Sequence, residues 1–124
     1  MKTANNSILD STKKAIGIGA DYDVFDPDII MHINTAFSTL AQLGVGPEDG
    51  FQIVDDKTAW SDYLLAEKER NMVKSYVYLR VRLLFDPPET SYLINAFNDQ
   101  VKELEWRLNV HEEGEKWASQ REVT

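Results

Sequence analysis

Residues 70–88, RNMVKSYVYLRVRLLFDPP, constrain this chain more than any other stretch. Apolar side chains fall at 72, 73, 76, 77, 79, 81, 83, 84 and 85. On a helix these positions cover well over half the circumference, wider than the stripe a surface helix needs. Such a helix has to be covered on several sides, by its own chain or by a neighbouring copy. The run from Val77 to Leu83 also alternates like a strand rich in β-branched and aromatic residues. The helical reading wins on two grounds. Glu67-Lys68-Glu69-Arg70-Asn71 is helix-tolerant and runs straight into the apolar pattern, and the stretch outlasts a typical strand before stopping at Asp86-Pro87-Pro88. The result is a central helix roughly 24 Å long at about 1.5 Å per residue.

The rest of the chain reads as further helices around this one. Ser7 can cap a short helix with Asp10 three residues on, and Ile8, Leu9, Thr12 and Ile16 share one face before Gly17 stops it. Residues 1–6 read as a frayed start, and 17–25 as an acidic loop. Asp26-Pro27 reads as an N-cap followed by proline at the first helical position. The helix it opens carries Ile29, Ile30, Ile33, Ala36, Phe37, Leu40 and Leu43, and Gly44 ends it. Residues 44–57 are irregular, with Phe51 and Ile53 alternating as a short extended pin. A short helix is expected at Thr58–Leu65, with Trp60 as a core anchor in preference to a binding residue. After Asp86-Pro87-Pro88-Glu89, Leu93, Phe97, Val101, Leu104 and Leu108 form a narrow helical seam flanked by Ile94 and Trp106. From His111 the pattern is lost. The expected fold is all-α: a compact bundle of four to five helices with a long central helix and a glycine-rich loop. The expected division is a helical domain over 1–110 and a polar tail over 111–124, mobile in the free subunit, in which Trp117 either anchors a partner or folds back beside Trp106.

Composition excludes several chemistries. A net charge of −8 opposes tight nucleic-acid binding, which needs clustered Lys and Arg. With no cysteine there is no disulfide, thiolate metal site or Cys nucleophile. The start of the sequence has no signal-peptide core and no apolar run reaches membrane length, so a soluble, cytoplasmic protein is expected. Gly44, Gly46 and Gly50 follow a helix in a G-x-G-x-x-x-G spacing with Glu48 and Asp49 inside, which argues against a phosphate loop. His32 and His111 have no ligand-spaced partner and read as packed or surface residues. Asp55-Asp56 and Glu112-Glu113 do not match an EF-hand. Glu112 and Glu115 have an E-x-x-E spacing with no later acidic pair, which disfavours a metal-dependent helical hydrolase. Arg80 and Arg82 read as structural ion-pair partners. No enzyme, cofactor or metal is expected.

The landmarks together resemble a phage family. They are Asp26-Pro27-Asp28-Ile29-Ile30 with His32-Ile33-Asn34, then Gln42-Leu43-Gly44-Val45-Gly46-Pro47, Phe51 and Trp60. Above all they are the run from Val73 through Phe85-Asp86-Pro87-Pro88, closing with Leu104-Glu105-Trp106-Arg107-Leu108-Asn109. Over about residues 8–110 the chain is similar to the small head–tail connector (adaptor, head-completion) proteins of long-tailed bacteriophages and prophages. The resemblance implies a structural virion protein, dodecameric on the virion, that forms a ring between the portal protein and a stopper or tail-completion protein. DNA would pass through the ring without specific binding, in the virion's head–tail interface after assembly in the bacterial cytoplasm. Subunit or partner contacts are expected from Tyr76, Tyr78, Arg80, Arg82, Phe85, Asp86, Pro87, Pro88, Trp106 and Trp117. Two features of the residues agree: a central helix apolar on too many sides, and a net-negative wall suited to a DNA conduit. The alternative is a small helical DNA-packaging or regulatory adaptor, for which no basic recognition helix is visible.

Overall fold

The computed structural model describes residues 6–63 and 67–123, with side chains described through His111 and at Gly114. Four α-helices build it: α1 (Ile8–Ala15), α2 (Asp26–Gln42), α3 (Glu67–Phe85) and α4 (Ser91–Val123). Among the described residues there is no strand, only an isolated antiparallel bridge between Ser7 and Ala59. The fold is the expected all-α bundle.

Helix α3 is the axis. Its Val73, Tyr76, Val77 and Val81 are fully buried, α2 and α4 pack along it, and α1 touches both α2 and α3. Helices α3 and α4 run antiparallel, since Glu69 meets His111, Tyr76 meets Glu105 and Arg82 lies over Phe97. The core joins Ile29, Ile33, Phe37 and Leu40 of α2 to Ile8 and Leu9 of α1, with Val101 and Leu108 closing it from α4. Trp60 is 1% exposed and donates its indole N–H to Ser11 Oγ at 2.8 Å, so it is the core anchor expected.

The caps differ from expectation in informative ways. Ser7 does cap α1, its hydroxyl accepting from the Asp10 N–H at 3.2 Å, and Gly17 follows the helix at φ 87°. Asp26 is not an N-cap. Phe25 holds that place without a side-chain bond, Asp26 is the first helical residue, and its carboxylate lies 2.8 Å from the Lys13 ammonium. Lys13 is fully buried, and an unpaired buried charge costs several kcal/mol against about 1 kcal/mol for a cap. The ion pair therefore wins. The helix expected at Thr58–Leu65 is only a 3-10 turn, Trp60–Asp62. The backbone before it is spent on the N-terminal segment, with Ile8 N–H on Thr58 O (3.0 Å) and Trp60 N–H on Asn6 O (2.8 Å). Asn6 is thereby tied in; residues 1–5 and Leu64–Leu65 lie outside the described residues.

Past His111 the helical pattern was expected to end. Helix α4 instead continues to Val123. Glu, Lys, Ala and Gln in this stretch are good helix formers, so backbone propensity continues the helix where apolar periodicity stops.

Candidate functional site

The α3–α4 hairpin and its corner carry most of the residues singled out in the sequence. Arg82 donates Nε–H to the Asp86 carbonyl at 2.6 Å and lies 4.0 Å from its carboxylate. Asp86 thus closes the end of α3 and does not cap α4. Thr90 does that, its hydroxyl accepting from Leu93 N–H at 3.3 Å and its carbonyl from Ile94 N–H at 3.1 Å. The two prolines place Asp86 a full turn too early to reach the α4 amides. Pro87 is exposed and Pro88 is buried. Phe85 is partly buried and meets Phe25 edge-on at 5.2 Å.

Deeper along α3, Tyr76 is fully buried and donates its hydroxyl to Glu105 Oε2 at 2.6 Å. Burial, then the bond to Glu105, pushes the phenol well above its ordinary pKa. The Arg80 guanidinium lies 3.4 Å from the Tyr76 hydroxyl and 3.6 Å from Glu105. This triad fixes the register of α4 on α3 from inside the subunit. Tyr76 and Pro88 are buried within the subunit, and Arg80 is the ion-pair partner expected. Tyr78 is half-buried with its ring edge-on to Trp60 at 6.2 Å. Trp106 is 66% exposed, whereas the Trp117 side chain lies outside the described residues.

The glycine-rich loop has an architectural explanation. Gly46 sits at φ 89°, and a Cβ there would lie 2.8 Å from the Tyr63 hydroxyl, so glycine is required by both backbone and packing. The loop is bolted to α2 by Asn34, whose amide donates to Ile53 O at 2.9 Å and accepts from Ile53 N–H at 2.8 Å. Between loop and helix lies a cleft of about 320 Å³ whose walls mix polar residues, among them Asn34, Gln42, Glu48 and Asp49, with the apolar Ala41 and Phe51. Its two carboxylates repel phosphate. Among the described residues no cluster of His, Asp or Glu is arranged to hold a metal ion.

The family model for phage connector protein matches residues 8–115. The chain belongs to the phage connector family. No curated protein and no solved structure matches it. The connector match starts at the first residue of α1 and ends just beyond the His111–Glu69 contact of 3.1 Å, so it spans the helical body. Membership supports a structural role at the phage head–tail junction and a virion location. Among the described residues no helix is long and apolar enough to cross a membrane.

Sequence reasoning missed two residues that organise this connector, Lys13 and Asn34. Asn34 sits in the family resemblance without an evident role, because its partner lies 19 residues away. A lysine on the buried side of an amphipathic helix, one position after Thr12, was the available signal for Lys13.

Proposed function

We propose that this connector assembles as a ring between the portal and a stopper or tail-completion protein, extending the DNA channel and joining head to tail. The family match over residues 8–115 carries the reading. The incomplete burial of the long helices supports it: Leu84 of α3 and Tyr92, Leu93, Trp106 and Val110 of α4 are 43–81% exposed. Large apolar side chains left open in this number suit a subunit whose neighbours complete its burial. Of the residues singled out in the sequence, exposed Asp86 and Pro87 of the corner, half-buried Arg82 and Phe85, and Trp106 make the subunit or partner contacts; the polar stretch from His111, with Trp117, makes a separate contact at the opposite end of the α3–α4 hairpin. The negative charge lets DNA pass without sticking.

Light scattering and negative-stain imaging of the full chain, alone and with portal particles, test this. Twelve copies of the 14.2 kDa chain weigh about 170 kDa. A ring of that order on the portal, with weaker self-association when dilute, is expected. A compact dimer at every concentration with portal present would refute it.

A further inference from the structure

At one end of the body, the loop between α1 and α2 meets the corner after α3 and presents an apolar surface ringed with acid. Tyr22 is 50% exposed, Val24 63% and Phe25 37%. The Tyr22 and Phe25 rings meet edge-on at 5.8 Å, and Phe25 meets Phe85 at 5.2 Å, so the apolar surface is continuous from loop to corner. Asp21, Asp23 and Asp28 are all exposed around it, and residues 17–31 contain no Lys or Arg. Asp86 adds a further carboxylate on the corner, where the neighbouring Arg82 is already bonded to it.

The loop that carries this surface is held rigidly. Buried Lys13 lies 2.8 Å from Asp26 and donates to Ala20 O at 3.0 Å, which ties the loop's middle and its exit to α1. Ile18 N–H bonds Lys13 O (2.8 Å), Tyr22 N–H bonds Gly19 O (3.1 Å) and Asp26 N–H bonds Asp23 O (3.2 Å). A buried lysine spent on a surface loop fixes the presentation of Tyr22, Val24 and Phe25, and a surface fixed in advance loses little freedom on docking.

We infer that this knuckle docks a segment of a different protein that carries Lys or Arg around an aliphatic or aromatic anchor. Charge selects that occupant over a second copy of the chain. An open apolar face of α4, with Tyr92, Trp106 and Val110 on one side, holds Asp99 and the Glu103–Arg107 ion pair of 2.9 Å along the same side, so it offers no surplus of positive charge. Set against the knuckle, it would leave Asp21, Asp23 and Asp28 without a surplus of positive charge to meet them, whereas partner surfaces are matched in charge. A basic segment satisfies both the carboxylates and the open aromatic surface. The inference rests on the connector reading only for supposing that a docking partner exists.

The test uses the full chain, isotope-labelled for NMR, and two synthetic 12-residue peptides with identical Leu and Phe positions. One has Lys and Arg at the remaining positions and the other Glu. The basic peptide should shift amide signals of residues 17–28 and 84–86 saturably, and the acidic one should not. The variants Asp21→Lys with Asp23→Lys, and Tyr22→Ser with Val24→Ser, should each weaken binding at least tenfold while the circular dichroism spectrum is unchanged. Shifts spread equally over other acidic surfaces, such as Glu48 and Asp49, would overturn the inference, as would unchanged affinity in both variants. So would peptide-free shifts of the same signals on dilution, which would assign the knuckle to a second copy. Failure of ring assembly on portal would remove the connector reading and leave the peptide result standing.

Discussion

Replacing Asn34 with alanine should destabilise the subunit by about 2–4 kcal/mol. Two short hydrogen bonds join the Asn34 amide to the N–H and C=O of Ile53. Ile53 is 1% exposed, so neither backbone group recovers water in place of the lost partner. Leaving a buried donor or acceptor unsatisfied costs about 1–3 kcal/mol each, and slight opening of the loop offsets part of the sum. For a chain of this size that corresponds to a fall in melting temperature of roughly 10 °C. Asn34→Asp should be intermediate: its carboxylate still accepts from the Ile53 N–H but cannot donate to the carbonyl. Urea unfolding followed by circular dichroism gives the energies. Hydrogen exchange localises them, because the Ile53 amide should lose protection before those of Val73 and Val77 in α3. A loss below about 0.5 kcal/mol, the range of ordinary surface substitutions, would refute the reasoning and show the loop to be held by Phe51 and Ile53 packing alone.

Other substitutions probe the corner, the triad and the glycine. Thr90→Ala should cost about 1 kcal/mol as a lost cap, whereas Asp86→Ala, which breaks only an exposed i,i+4 pair, should cost less than about 0.5 kcal/mol in the same urea titration. Tyr76→Phe should cost about 1–2 kcal/mol, because the carboxylate it leaves is partly exposed and keeps Arg80. Since the Tyr76 pKa is raised in the folded state, its contribution is complete below the unfolded value of about 10 and is lost as pH rises above it. The wild type should therefore weaken above pH 10 more than Tyr76→Phe does, measured by urea midpoints at pH 8 and pH 11. Gly46→Ala should cost about 2–4 kcal/mol, combining the left-handed backbone with the clash against Tyr63, and thermal melts will show it.

Local chemistry made much of the architecture legible before any tertiary contact was known. The 3.6-residue spacing of Ile29, Ile33, Phe37 and Leu40 marks α2, and each of those residues is buried. Ser7 before Ile8 and Gly44 after Leu43 punctuate helices where expected, because caps and left-handed glycines act within a few residues. The surplus apolar residues of α3 were equally plain. What sequence could not supply was any choice made by a distant partner. Asp26 leaves the cap because a lysine thirteen positions earlier is buried and needs a counter-ion. Tyr76 was expected among the subunit or partner contacts, yet Glu105, 29 residues away, accepts its hydroxyl and the residue is fully buried within the subunit. The Thr58 segment is extended because Asn6 and Ile8 claim its hydrogen bonds. Spacing and caps depend on neighbours in the chain and so are written in order along it. Burial of a charge, pairing of a hydroxyl and assignment of a backbone amide depend on which groups meet when the helices pack, and only the tertiary structure decides that.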